Sequence, residues 1–358
     1  MQKYRVGILG ATGMVGQQYI TLLENHPWFT ITHLAASKRS SGKTYAQAVK
    51  NRWRMEKPIP PSVKDLTVYN VNEITEAVKN CSLIFSALDS ETAKIYEEQH
   101  AKEGLGIVSN ASTHRHIQDI PLIIPEINSH HLDIIPLQQK RRGWGRGFIV
   151  TKPNCSIQSY LTPIFALHQQ FTIQRMIVTT MQAVSGSGYP GIPSLDILNN
   201  IIPYIDGEEE KSEREPLKIL GTIQEDGIVD CQGIQISAHC NRVPVIHGHT
   251  ACISIKFENK PTKEEILSSW TNFESIPQKL KLPSASKNPL SYENSPDRPQ
   301  PRLDCNKGQG MVCSLGRLRE CHVLDYRFVG LSHNTIRGAA GGAILTAELL
   351  AKNNNIAL

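Results

Sequence analysis

Short apolar runs and helically spaced apolar positions take turns along the first half of this chain. Residues 4–10, 30–36, 66–69, 82–88, 106–110 and 148–151 each read as a strand. A helical stretch follows the first run through Gln18, Ile20, Leu22 and Leu23, and another runs from about residue 91 to 103. Residues 44–80 look like an irregular excursion, with loop-like Arg52-Trp53-Arg54-Met55 and Pro58-Ile59-Pro60-Pro61, and residues 122–128 close the half. Strands alternating with helices predict an α/β fold here.

Beyond residue 151 the pattern changes. The turn Thr151-Lys152-Pro153-Asn154-Cys155-Ser156-Ile157 opens onto a helix whose apolar face is Ile157, Leu161, Ile164 and Phe165. Residues 176–184 read as a long strand, followed by the glycine loop 185–191. A charged helix is expected over 208–220, strands over 232–238 and 250–257, and a helix over 261–273. The Pro-rich stretch 283–301 reads as loop, 311–318 and 322–328 as a pair of strands, and 334–343 as the opening of a C-terminal helix. This middle region is α+β with a largely antiparallel sheet. The expected division is a first domain over 1–153, a second over 154–333, and a C-terminal helix over 334–358 that packs back on the first.

Composition adds bounds. With 358 residues, 40% hydrophobic and 20% charged, the chain is long enough for two domains with sizeable cores. A net charge of +5 suits a pocket for a phosphorylated ligand and is no nucleic-acid signature by itself. The basic stretch 140–147 is expected to be a short surface loop, not an RNA-binding segment. Eight cysteines are spread without a CxxC pair, so neither a disulfide framework nor a metal site is expected. No apolar run is long enough to span a membrane, and the N-terminus enters a strand directly, so the expected setting is cytoplasmic.

Two patterns carry chemistry. Gly10-Ala11-Thr12-Gly13-Met14-Val15-Gly16 lies between the first strand and the first helix, where a dinucleotide pyrophosphate would rest on helix N–H groups. Gly10 permits the tight turn, Gly13 the approach of the phosphates and Gly16 close helix–strand packing. At the end of the second strand an NAD site usually carries an acid, but this chain reads Ser37-Lys38-Arg39-Ser40-Ser41-Gly42-Lys43. Cations and hydroxyls there suit the 2′-phosphate of NADP. Arg115 follows the strand at 106–110, at the carboxyl end where ligands of such sheets bind.

The second pattern is Cys155 behind Asn154. With Asn154 as N-cap, the thiol would sit in the first turn of a helix, where unpaired N–H groups and the helix dipole favour thiolate. A lone cysteine is more often a small buried residue; Gln182, Arg242 and His249, all at element edges, shift that reading. A thiolate beside a histidine with an ordinary pKa near 6.5 is an activated nucleophile with an acid/base partner. Beside a nicotinamide cofactor such a pair suits aldehyde oxidation through a thioester, which phosphate or water then cleaves.

On these motifs the chain resembles aspartate-β-semialdehyde dehydrogenase of the archaeal and fungal branch. The resemblance also rests on Gln182 before Ser185-Gly186-Ser187-Gly188, on Glu208 to Lys211 with Glu215 and Lys218-Ile219-Leu220, on Arg242-Val243-Pro244 with Gly248-His249-Thr250, and on Asn334-Thr335 with Arg337-Gly338-Ala339. It implies a Rossmann-type NADP-binding domain followed by an α+β catalytic and dimerisation domain. It further implies reversible NADPH-dependent reduction of L-4-aspartyl phosphate to L-aspartate 4-semialdehyde and inorganic phosphate, by a homodimer or homotetramer. Cys155 would be the nucleophile, His249 the acid/base, and Gln182 would orient the acyl group. Arg242 would bind the substrate carboxylate and Glu208 its amino group, with Arg115, Asn154 and Lys211 at the phosphate. Gly10, Thr12, Gly13, Met14, Val15, Ser37, Arg39, Ser40, Ser185, Gly186 and Asn334 would hold the cofactor.

Three positions depart from the family's pattern. His247 stands before Gly248-His249 and is expected to perturb His249; Lys152 adds a cation expected to lower the Cys155 pKa; His333 stands where Asp is common. Two related enzymes, malonyl-CoA reductase and N-acetyl-glutamyl-phosphate reductase, keep the cysteine and histidine and are rival readings, as is a non-catalytic NADP sensor. Glu208 with Arg242 argues for a substrate with both an amino group and a carboxylate.

Overall fold

A computed structural model describes residues 3–356. The first sheet consists of β1 (Tyr4–Leu9), β2 (Phe29–Ala36), β3 (Val68–Asn70), β4 (Leu83–Ser86), β5 (Gly106–Ser109) and β6 (Phe148–Thr151). All pairings are parallel, in the order β3-β2-β1-β4-β5-β6. Alternate residues of each strand feed opposite faces, because side chains along a strand alternate. Leu83 and Phe85 enter one apolar cluster and Ile84 another. The first cluster takes in the Met14–Leu23 helix and the C-terminal helix Gly341–Lys352, whose residues 341–351 are all buried. The last helix thus completes the core of the first sheet.

The second sheet is built from β7 (Ile173–Ala183), β10 (Gln235–Val243), β11 (His249–Phe257), β12 (Leu290–Glu293), β13 (Cys313–Glu320) and β14 (Tyr326–Ser332); β8 (Thr222–Gln224) and β9 (Gly227–Val229) form a separate hairpin. Its order is β10-β7-β11-β14-β13-β12. The three central pairings are antiparallel and the two edge pairings parallel, so the sheet is mixed. Its core cluster includes Ile164 and Leu167 of the Leu161–Phe171 helix and Ile266 and Trp270 of the Lys263–Thr271 helix.

Several expected elements move. The Pro-rich stretch contains β12, which pairs with β13. The basic stretch 140–147 begins as the last turn of an Ile135–Arg142 helix that Gly143 ends at φ 65°. Arg142 is tied to Asp119 and Glu98 and lies over the Trp144 ring. Residues 44–80 hold short helices, with the strand at Val68–Asn70 and a helix over Ile74–Asn80. β10 begins later and runs to Val243, which brings Arg242 into the sheet. Among the described residues no helix is long and apolar enough to cross a membrane.

Candidate active site

β6 carries the chain to the cysteine turn, where Lys152 N–H bonds Ser109 O at 2.9 Å. The long helix expected from Cys155 is interrupted. A 3-10 turn spans Ile157–Ser159, and the α-helix starts only at Leu161. Pro163 supplies the reason: without an N–H it cannot bond the carbonyl of Ser159, which accepts from Cys313 Sγ at 3.3 Å instead. Asn154 Oδ1 accepts from Ser156 N and Oγ at 2.8 Å each, so Asn154 closes a local turn rather than capping a long helix.

Cys155 therefore lacks the helix-dipole support read from the sequence. Burial pushes its thiol up to about 11; Glu208 adds to the shift, while Lys152, Arg115 and Arg242 oppose it. The cation at Lys152 acts in the expected direction but is outweighed. Lys152 itself is fully enclosed, its Nζ on the Gly338 and Pro153 carbonyls, and burial brings it down to about 7.

Cys155 Sγ lies 3.2 Å from His249 Nε2. His249 Nδ1 accepts the N–H of Ala183 at 2.9 Å. A backbone N–H can only donate, so the neutral ring carries its hydrogen on Nε2, facing the sulfur. The ring is fully buried, and burial lowers its pKa to about 3, helped by Arg242 and His333. This departs from the ordinary value near 6.5 read from the sequence. His247 is not the direct cause: it stacks on His333 at 5.0 Å and bonds Ser185 Oγ at 3.0 Å. The same Ser185 hydroxyl accepts Asn334 Nδ2, and Asn334 Oδ1 accepts Gly248 N.

Glu208 is the hub of the remaining cluster. Its carboxylate accepts Asn154 Nδ2 at 2.6 Å, Gln182 Nε2 at 3.0 Å and Lys211 Nζ at 3.1 Å. Arg242 donates to Ala183 O at 2.9 Å from inside β10. Gly186 leaves space between two of these groups: a Cβ there would lie 2.9 Å from Arg242 NH1 and 3.1 Å from His249 Cε1. Arg115 NH1 bonds Glu215 at 2.8 Å, while its Nε has no partner although the side chain is buried. The structure thus gathers Cys155, His249, Gln182, Arg242, Glu208, Lys211, Asn154 and Arg115 into one connected region. Glu215 and Lys218, quoted in the sequence only as part of a motif, join it. Their signal was spacing: Glu208, Lys211, Glu215 and Lys218 recur at i, i+3, i+7 and i+10 on one helix.

The glycine turn forms a second feature. Gly10 has φ 76°, and a Cβ on it would meet Ala87 O at 2.5 Å; one on Gly16 would meet Gly10 O at 2.3 Å. Gly13 leads into the Met14–Leu23 helix without a side-chain cap, which leaves its first N–H groups for a ligand. A cleft of about 450 Å³ here is lined by Gly10, Thr12, Gly13, Ser37, Lys38 and residues of the β4 end. Met14 and Val15 form the helix start behind it, and Arg39 is exposed at the next turn. Ser40 is buried instead, its hydroxyl accepting from Arg52 NH2 at 3.3 Å. The uncapped helix start and the absence of an acid at Ser37-Lys38 fit a phosphorylated dinucleotide. Among the described residues no group of side chains could hold a metal ion.

Two family models match successive parts of the chain. The family model described as semialdehyde dehydrogenase, NAD binding domain, matches residues 5–135, and that described as semialdehyde dehydrogenase, dimerisation domain, matches residues 164–337. The aspartate-semialdehyde dehydrogenase of Methanothermobacter thermautotrophicus is 44% identical over 96% of this chain and 98% of that protein. That of Saccharomyces cerevisiae is 44% identical over 98% of both. The crystal structure of aspartate semialdehyde dehydrogenase with NADP from Candida albicans superposes with a TM-score of 0.90 at 41% identity, covering 98% of this chain and 99% of that one.

Proposed function

The chain belongs to the aspartate-semialdehyde dehydrogenase family, and on that premise we propose how its site performs the family's reaction. It is an NADP-dependent oxidoreductase that interconverts L-4-aspartyl phosphate with L-aspartate 4-semialdehyde and phosphate, in amino-acid biosynthesis. The observation that carries the reading is the 3.2 Å approach of Cys155 Sγ to His249 Nε2 beside Glu208 and Arg242.

Cys155 sulfur attacks the acyl carbon of the aspartyl phosphate, the carbon–oxygen bond to phosphate breaks, the thiol proton leaves with the departing phosphate, and a thioester remains on the protein. Gly10, Thr12, Gly13, Ser37 and Arg39 would hold NADPH, which would supply the hydride that takes this acyl group to the aldehyde as the carbon–sulfur bond breaks and Cys155 is freed. His249 donates its Nε2 hydrogen toward sulfur, which favours thiolate both as it attacks and as it leaves. Gln182 orients the acyl group. Arg242 offers its planar fork to the substrate carboxylate, and Glu208 accepts the substrate ammonium in place of its present donors. Arg115, Asn154 and Lys211 take the phosphate; the buried Arg115 Nε has no protein partner.

The acid at Glu208 and the fork of Arg242 also separate this reading from a coenzyme A thioester reductase, which needs no ammonium site. The second half of the chain is the unit that self-associates, as a homodimer or homotetramer. Exposed Leu195, Leu198, Ile201 and Tyr204 support that assignment. A cytoplasmic setting belongs to the same proposal, since the nucleophile must stay a free thiol.

The deciding experiment is NADPH formation from L-aspartate 4-semialdehyde with and without inorganic phosphate. A signal that requires phosphate supports acyl transfer from Cys155 to phosphate. Turnover indifferent to phosphate would make the enzyme a hydrolytic aldehyde dehydrogenase, and no turnover would overturn the substrate assignment.

A further inference from the structure

The Glu208–Ile219 helix carries a charged stripe that faces inward. Glu208 and Lys211 stand at the substrate, and one and two turns later Glu215 and Lys218 are almost wholly buried. Charges are rarely buried unless paired, and each of these is fully engaged. Glu215 Oε1 accepts Arg115 NH1 at 2.8 Å, and its Oε2 accepts the backbone N–H of Asn154 at 2.7 Å. Lys218 Nζ donates to three carbonyls of one loop, those of Arg115, Ile117 and Ile120, at 2.7, 2.6 and 2.8 Å. Arg115 NH2 is spent on Asn110 O at 2.7 Å. The guanidinium and its own backbone are thus both fixed from one helix, and only Nε is left without a protein partner.

We propose that Glu215 and Lys218 are positioning residues that set Arg115 and the Asn154-Cys155 turn at a fixed spacing from Glu208 and Lys211. Since all four charges project from one rigid helix, the ammonium, acyl and phosphate ends of the substrate are measured against a single element. Pro216 interrupts the helix's own bonding without loosening it: the Ser212 carbonyl, deprived of its helical N–H partner, accepts Tyr160 Oη at 3.3 Å. Arg115 reaches the phosphate only if its fork is held, because a long side chain left free loses rotamer entropy on binding. The inference rests on the reading of Arg115 as a phosphate ligand.

The test measures the KM for inorganic phosphate in the oxidative direction for wild type, Arg115→Ala, Glu215→Gln and the double variant, with the Kd for NADP as control. Gln keeps the shape of Glu215 but turns an N–H₂ toward one of its two donors. Glu215→Gln is expected to raise the phosphate KM at least tenfold, leave the NADP Kd within twofold, and add less than twofold in the Arg115→Ala background. An unchanged or lowered phosphate KM overturns the inference, as does a parallel loss of NADP affinity. If Arg115→Ala raises the phosphate KM and Glu215→Gln does not, the positioning role alone fails. If Arg115→Ala changes nothing, the phosphate assignment falls and takes the inference with it. Should Glu215→Gln fail to fold, Glu215→Asp keeps the charge but shortens the reach by one methylene; the same tenfold rise is expected, and an unchanged KM overturns the proposal.

Discussion

Ala183 donates its N–H to His249 Nδ1 at 2.9 Å, and this bond decides which ring nitrogen faces Cys155. The histidine meets sulfur as a neutral donor, not as an imidazolium. A thiolate–imidazolium pair would require Nδ1 to gain a hydrogen and push against the Ala183 N–H.

The alkylation of Cys155 by iodoacetamide is expected to report this directly. With the thiol raised to about 11 and His249 lowered to about 3, the rate in the free enzyme rises continuously from about pH 7 to pH 10. An inflection near the ordinary histidine value, or a plateau by about pH 8, would establish an ion pair instead.

Replacing Cys155 by Ala is expected to abolish turnover and leave NADP binding within about twofold, because the glycine cleft is lined by other residues. Equilibrium fluorescence titration of the variant decides the point. A matching loss of cofactor affinity would mean that the cysteine turn is part of the cofactor site.

Gly186→Ala tests the packing between the two basic groups. Its methyl would stand 2.9 Å from Arg242 NH1 and 3.1 Å from His249 Cε1, so both must shift. Steady-state assays should show kcat/KM for the semialdehyde falling about tenfold or more, a size ordinary for a catalytic group displaced by less than 1 Å. The thermal midpoint should move little, since Gly186 lies in the short 3-10 turn Val184–Ser187, none of whose residues is buried. Unaltered kinetics would count against the proposed role of Arg242.

Arg39→Ala should weaken NADP and spare NAD. Arg39 is exposed, its carbonyl holding Lys43 Nζ at 2.9 Å, so the side chain is free to meet a 2′-phosphate. A charge-assisted bond of this kind corresponds to about tenfold or more in Kd. Equal losses for the two cofactors would remove the assignment.

Acid should destabilise the fold early. Burial lowers His33, His131 and His333 to about 4 and His249 to about 3, all from 6.5. Between these values and 6.5 the unfolded chain binds more protons than the native one. Stability therefore rises with pH in that window and is lost as pH falls through it. Thermal midpoints should drop steadily from pH 7 to about pH 4.5; a midpoint that holds or rises over that range would contradict the burial of neutral rings.

The fold was legible because its signals are local. Gly10, Gly13 and Gly16 announce a strand–turn–helix unit from a seven-residue window, and Ser37-Lys38-Arg39 marks the cofactor preference by the acid it lacks. The site was legible as a set of residue types, since Cys155, His249, Arg242 and Glu208 all meet in space. What escaped was set by long-range partners. The helix expected at Cys155 broke because Pro163 withholds one N–H, and the pKa values of Cys155 and His249 follow from enclosure that no sequence window shows. The strand at Leu290–Glu293 escaped for a similar reason: β13 recruits a segment whose prolines read as loop.

One feature of the architecture bears on how the protein is made. Ile344, Leu345, Leu349 and Leu350 of the last helix belong to the same apolar cluster as Val6 and Ile8 of the first strand. At roughly 5–20 residues per second, a ribosome emits that last helix tens of seconds after the first strand. Until then the nucleotide-binding half must wait with one face of its sheet unfinished. A premature stop anywhere before residue 341 leaves the oldest part of the polypeptide without its cover.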